Sequence, residues 1–374
     1  MDLTFTEEQD ELRKVVRSFL AKHSDEANVR RLAGDPHGHD PVVWRRMAGE
    51  LGLQGLAVPE EYGGSGFGYV DLGIVFEETG RALLGGPYFA TVALAAEALL
   101  RCADEQARHD LLPGIASGET VATLALTEDS GRWDEQGVRL TAAHDETGGW
   151  RLTGVKTYVP DGHLADLLLV AARTPGGVSL LAVETSDAPG LTRTPLPTLD
   201  QTRKQARLEF TDTPARLLGP EGAAWPALER TLATAAVLLS AEQVGGAAAA
   251  LDAAVEYAKI REQYGRAIGS FQGIKHKCAD MLMEIESARS AAYGGLWALD
   301  GGDETEIAMA AALAQAVCSE AFTKVAADNI QVHGGIGFTW EHPAHLYFKR
   351  AKSSEVLLGT PSYHRELLAA RLGI

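Results

Sequence analysis

Apolar residues recur along the start of the chain at the spacing of one helix face. Phe5, Leu12, Val15, Val16, Phe19 and Leu20 predict an amphipathic helix, and Thr6 followed by Glu7 and Glu8 supplies a cap with an acidic first turn. The helical pattern runs to about residue 118. A turn-rich loop, Pro59-Glu60-Glu61-Tyr62-Gly63-Gly64-Ser65-Gly66, interrupts it. That loop breaks the GxGxxG register and follows no strand, so a Rossmann reading fails. Residues 119–222 change period. Short alternating or apolar runs at 150–159, 166–172, 178–183 and 207–210, with a turn at Pro160-Asp161-Gly162, predict a small β domain, a barrel or sandwich. Long amphipathic helices return from 223 to 374, at 225–262, 270–299, 303–333 and 342–358, and predict a four-helix bundle. The order gives an α+β protein with three domains, 1–118 helical, 119–222 β and 223–374 helical.

Composition narrows the function classes. The chain has 374 residues, 45% of them hydrophobic, so two or three packed units are expected. The net charge of −17 disfavours nucleic acid and anionic membrane as partners. An anionic substrate would need a local basic grip. Cys102, Cys278 and Cys318 are far apart and odd in number, which argues against a disulfide framework and for a reduced, cytoplasmic setting. No CxxC or HExxH supports a metal. Met1-Asp2-Leu3-Thr4 opens an acidic N-terminus unlike a signal peptide. The Ala-rich runs 232–254 and 307–318 are broken by Glu242, Gln243, Asp252 and Gln315, and read as buried helices, not membrane spans.

Several spaced motifs carry a resemblance. Tyr257-Ala258-Lys259-Ile260-Arg261-Glu262-Gln263-Tyr264-Gly265-Arg266-Ala267-Ile268-Gly269-Ser270-Phe271-Gln272 is similar to the YAxxRxxFGxxIxxFQ segment of the acyl-CoA dehydrogenase family. With Pro59 to Gly66, Leu126-Thr127-Glu128, Gln331-Val332-His333-Gly334-Gly335-Ile336-Gly337-Phe338 and the run to Thr360, the likeness spans the chain. It implies FAD, an acyl-CoA substrate, and an electron-transfer flavoprotein as acceptor. It also implies a fold with an N-terminal helical domain, a middle β-barrel or sandwich and a C-terminal four-helix bundle.

By the same resemblance, Arg261 meets the FAD pyrophosphate, where a guanidinium can fork onto the phosphates. Its bland alternative is an ordinary solvated arginine. Tyr264, Phe271, Gln272, Gln331, Gly334, Gly335 and Thr360 complete the implied ADP-end set. Thr127 and Tyr158 are the residues implied at the flavin ring. Gln272 could instead be a surface amide, and the glycines a simple helix-ending turn. His333 reads equally well as structural. His342 and His345 near Glu341 read as a capped helix start, not a metal site.

The resemblance also exposes what is missing. The family removes the α-proton of a thioester with a carboxylate, and FAD takes the β-hydrogen as hydride. Leu358 stands where many members place that glutamate. Some members place it on the long helix before Arg261, where this chain has Ala235, followed by Ala236 in place of a substrate-holding arginine. Pro160 replaces a threonine that serves the flavin ring, and the loop Thr127-Glu128-Asp129-Ser130-Gly131 departs from the family's TEPxxGSD. The losses lie on the base and ring side, whereas the ADP side is kept.

The sequence therefore resembles the base-lacking subunit of bacterial α2β2 acyl-CoA dehydrogenases that act on steroid side-chain thioesters, with the base on a partner subunit. A second reading is a self-sufficient homotetramer with a relocated base, Glu242, about 10 Å beyond Ala235 on the same helix face. Glu355 and Glu128 are weaker candidates for that base. The bland reading of Glu242, the ion-pair partner of a neighbouring cation, is the favoured one. A third reading is a structural homologue that binds no flavin. A nitroalkane-oxidase-like activity would need a carboxylate at Leu358. No residue identifies the acyl group. Gly294, Gly295 and Ala298 could widen a pocket or only pack helices.

Overall fold

A computed structural model describes residues 5–146 and 148–374; the acidic start at Met1 to Thr4 lies outside the described residues. The elements in chain order are α1 (Glu7–His23), α2 (Glu26–Gly34), α3 (Pro41–Gly49), α4 (Tyr69–Arg81), α5 (Glu97–Arg101) and α6 (Glu105–Ala116). Strands β1 (Ala122–Ala125), β2 (Thr141–His144), β3 (Trp150–Pro160), β4 (Leu167–Thr174), β5 (Gly177–Glu184), β6 (Leu191–Pro195) and β7 (Gln205–Leu218) follow. Then come α7 (Trp225–Ile260), the two-residue strands β8 (Glu262–Gln263) and β9 (Arg266–Ala267), α8 (Gln272–Gly301), α9 (Glu304–His333), α10 (Ala344–Val356) and α11 (Pro361–Leu372). The helix–β–helix order and the α+β class are those the hydrophobic pattern predicts.

The chain forms two compact units, one of residues 1–30, 69–84 and 236–374, the other of 31–68 and 85–235. In the first, alanines of α7 (Ala247, Ala250, Ala254, Ala258) meet Met281 and Ile285 of α8, Phe322 and Val325 of α9 and Ala351 of α10. Small side chains on α7 let the surrounding helices close around it. Helices α4 and α7 come together backbone to backbone. A Cβ on Gly245 would lie 1.7 Å from the Glu77 carbonyl oxygen, and one on Gly80 would lie 1.9 Å from that of Glu242. Thr6 caps α1 in a reciprocal capping box with Gln9. Helix α7 is long and apolar enough to pass for a membrane span, but most of that stretch is buried as a core helix.

The second unit is built on the sheet. Its strand order is β1-β4-β2-β3-β7-β5, β6 lies against β7, and β4 also pairs with β5. The β4–β5 pairing closes the cycle β4-β2-β3-β7-β5 into a barrel-like arrangement. β4 and β5 are almost wholly buried, as their unbroken apolar runs require. The β3–β7 ladder shifts register between Leu152 and Gly154 and again between Lys156 and Val159. The second bulge sets Tyr158 at φ +60°.

Gly245→Ala should lower the stability of the protein by about 2 kcal/mol or more, because the added methyl meets backbone, not a movable side chain. Gly294→Ala adds a methyl that meets nothing within 4 Å on the exposed face of α8 and should gain about 0.5–1 kcal/mol. Thermal unfolding of the two variants against wild type measures both signs.

Candidate cofactor and substrate site

The turn after α10 carries Leu358, which the resemblance implies stands at the family's base position. Leu358 is 3% exposed, its φ is +64°, and Gly359 follows at +112°. A left-handed conformation costs a non-glycine residue roughly 1–2 kcal/mol, so something must hold it. Gln315 of α9 donates from Nε2 to the carbonyls of Leu357 (3.2 Å) and Ser354 (3.4 Å). His364 of α11 lies with Nε2 3.1 Å from the Leu358 carbonyl. Thr360 caps α11 by accepting from the Tyr363 N–H at 3.3 Å. A Cβ on Gly359 would strike the Tyr363 ring at 2.4 Å. The backbone is thus fixed from both sides, and what it carries is an isobutyl group with no proton-accepting atom. Ala235 and Ala236 on α7 are buried methyls.

The candidate relocated bases are all engaged. Glu242 is 4% exposed, and its Oε1 accepts from Arg350 Nη1 at 2.6 Å. Arg350 is itself buried and also donates to the Leu84 carbonyl at 3.0 Å. Glu355 accepts from Lys352 and from Thr323 Oγ1. Glu128 accepts from Lys156 Nζ and from the Arg139 and Leu140 N–H groups, each at 2.8 Å. Burial alone would raise its pKa, but Lys156 and the two N–H groups hold it below the usual carboxylate range. Burial pushes the Lys156 ammonium down to about 8 against the pull of Glu128.

At the implied flavin-ring end, hydroxyls are spent on neighbours. Thr127 Oγ1 donates to the Thr157 carbonyl at 2.6 Å, and Thr157 Oγ1 donates to Asp129 at 2.6 Å. Arg207 Nη1 donates to the same Asp129 oxygen at 2.9 Å. Thr127 is 2% exposed, so its side chain faces the sheet interior, whereas the ring of Tyr158 is 43% exposed on its bulge. Sequence reasoning missed the Asp129–Thr157–Arg207 closure. The degenerate loop around Asp129 is the only signal that hinted at it.

The implied ADP-end residues present the opposite picture. β8 and β9 form a hairpin whose turn residues, Tyr264 at φ +52° and Gly265 at +74°, have the signs of a type I′ turn. Tyr264 is 92% exposed. Arg261 precedes this hairpin and is exposed, and its guanidinium makes no hydrogen bond or ion pair among the described residues. Arg266 stacks over the Phe271 ring at 4.1 Å, and the exposed Gln272 opens α8. Gln331 is exposed at the end of α9. Gly334 sits at φ +63°, and a Cβ on Gly334 or Gly335 would meet nothing within 4 Å. The backbone at the α9 C-cap explains Gly334, whereas nothing within 4 Å explains Gly335, whose backbone is open to an approach from outside. His333 is buried, its Nδ1 is 2.9 Å from the Asn329 carbonyl, and its ring lies between those of Tyr257 and His342, which is a structural role. His342 Nδ1 accepts from the Ala344 N–H at the start of α10.

The chain matches the acyl-CoA dehydrogenase N-terminal domain over residues 6–119, the middle domain over 123–213 and the C-terminal domain over 222–373. It belongs to the acyl-CoA dehydrogenase family. It is similar to acyl-CoA dehydrogenase IpdE2 of Mycobacterium tuberculosis, 36% identical over 98% of this chain and 96% of that one. Among solved structures it resembles a variant of the Tcur3481-Tcur3483 steroid ACAD, with a TM-score of 0.88, 34% identity and 98% of each chain covered. It also resembles the ChsE4-ChsE5 complex of Mycobacterium tuberculosis, with a TM-score of 0.89, 29% identity and 100% and 99% coverage. The family's cofactor is FAD, which supplies the hydride acceptor for acyl-CoA oxidation. The free Arg261 guanidinium and the open Gly334–Gly335 backbone are groups suited to its phosphates.

Burial pushes the His364 imidazole down to about 4, so it is neutral near pH 7 and donates Nε2–H to Leu358. This value lies below the unfolded value of about 6.5, so the stabilisation is complete above pH 6.5 and is lost as pH falls toward 4. His364→Gln should flatten the stability loss between pH 6.5 and 4 by up to about 3 kcal/mol. Denaturant unfolding at three pH values across that window measures the slope.

Proposed function

We propose that this chain is the base-lacking, FAD-gripping subunit of a heteromeric acyl-CoA dehydrogenase. The observation that carries the reading is the contrast between its two sets of residues. At the two base positions stand Leu358 and Ala235, and Glu242 is committed to Arg350. The Arg261 guanidinium, by contrast, is exposed and uncommitted. A partner subunit supplies the base and the flavin-ring contacts, and this chain supplies Arg261, Tyr264, Phe271, Gln272, Gln331, Gly334, Gly335 and Thr360 to the ADP end. The likeness to IpdE2, to a steroid ACAD and to the two-component ChsE4-ChsE5 complex supports both the heteromer and a CoA thioester of a steroid-derived acid as substrate. An electron-transfer flavoprotein is the expected acceptor, and α2β2 the expected assembly.

The chain purified alone should bind less than one FAD per subunit and should not oxidise acyl-CoA. Co-expressed with a base-bearing partner it should do both. Full FAD occupancy with turnover by the chain alone would sink the proposal. Arg261→Ala should weaken FAD binding by the complex about 10- to 100-fold, the worth of one charge-assisted hydrogen-bond pair, measured by flavin fluorescence. Unchanged flavin content would favour a homologue that binds no flavin.

Glu242→Gln separates this reading from a relocated base. It should lower the unfolding temperature, because Arg350 is left buried without its counter-charge. The folded complex should keep its turnover number. A loss of turnover by several powers of ten with unchanged unfolding would make Glu242 the base.

A further inference from the structure

A cleft of about 290 Å³ opens in the helical unit where α1, α4, α7 and α8 meet. Its size is near the lower end of small-ligand sites. None of the implied FAD contacts lines it. At its centre Glu77 and Glu78 are 4% and 1% exposed. Glu77 accepts from Arg13 Nη1 at 2.7 Å, from the Tyr293 hydroxyl at 2.6 Å and from Arg289 Nη1. Glu78 accepts from Arg13 Nη1 at 3.2 Å and from Arg17 Nη2 and Nε at 2.7 and 2.8 Å.

All four carboxylate oxygens are therefore engaged, and three guanidiniums face two carboxylates, 3 − 2 = +1. Among the described residues, Arg17 Nη1 and Arg289 Nη2 donate to nothing. Arg81, also on the wall, pairs with Asp252, and Arg289 has a second partner in Glu286 at 3.4 Å. Those outer carboxylates are 59% and 58% exposed, so solvent screens them far more than the buried centre. The apolar part of the wall is formed by Phe5, Gly245 and Ala248. Gly245, whose Cβ would clash with α4, leaves that wall flat.

We propose that this cleft is a binding site for a small organic carboxylate. The carboxylate lies against Arg17 and Arg289, whose planar forks match it, and the organic part lies against Phe5 and Ala248. In a chain of net charge −17 such a fixed positive excess beside an apolar wall selects an anion with a hydrocarbon portion over a bare inorganic one.

The test is calorimetric titration of the full-length protein, in complex with its partner where the two co-purify. The probes are benzoate, citrate and inorganic phosphate, with chloride holding ionic strength constant. One saturable carboxylate site per chain is expected. Arg17→Gln should weaken it at least tenfold; it also takes the donor from the buried Glu78 Oε2 and so lowers the unfolding temperature, which makes the charge-neutral Ala248→Leu the deciding variant. Ala248→Leu should block it without removing a charge. Three results would overturn the proposal: heats that follow ionic strength alone, binding unmoved by either variant, or phosphate outcompeting both carboxylates. If no small anion binds but Arg17→Gln weakens subunit assembly, the cleft is a protein contact and the proposal likewise fails.

Discussion

The Glu242–Arg350 ion pair is a buried tie on which the helical unit's packing converges. It joins α7 to α10, and the second arm of Arg350 reaches the Leu84 carbonyl just beyond α4. Three segments distant in sequence are thereby tied at one buried point. A pair taken out of water repays its desolvation only when geometry is good and remaining donors are satisfied. The close crossing of α4 and α7 at Gly80 and Gly245 is what brings these groups within reach. The same tie occupies the Oε1 of Glu242, the carboxylate on the helix face of Ala235.

The turn at Leu358 shows geometry surviving without chemistry. Gln315 and His364 brace a left-handed leucine, which is costly for a residue with a Cβ. A chain with no use for the turn could relax it, but α10 ends there and α11 begins with Thr360 as its cap. Packing of the two helices therefore preserves the backbone, and the side chain is left free to change. A leucine at this turn asks for no change in the backbone around it.

Much of this was legible in the sequence, and the rest failed for identifiable reasons. The long helices α7 to α10 lie within two residues of the predicted ends, because their apolar periodicity runs for many turns and caps punctuate it. The hairpin at 262–267 was not, because the helical pattern of α7 runs into it and only Tyr264-Gly265 marks the turn. The side-chain cluster of Asp129, Thr157 and Arg207 joins positions far apart in the chain, and no spacing rule connects them. The cation beside Glu242 was foreseen as a type of neighbour, but Arg350 could not be named without the helix packing.

The exposed residues carry the remaining argument. Folded chains leave many arginines solvated, so bare large aromatics are the more informative feature. Here Tyr264, Phe338 and Trp340 are 92%, 80% and 68% exposed, and Arg261 is uncommitted. The Asp129–Thr157–Arg207 contacts run the other way, closing polar groups of the β domain on one another. One set of side chains is open to contacts from outside, and the other is closed on itself. The proposed heteromer accounts for that contrast by placing the ring contacts on an unlike partner.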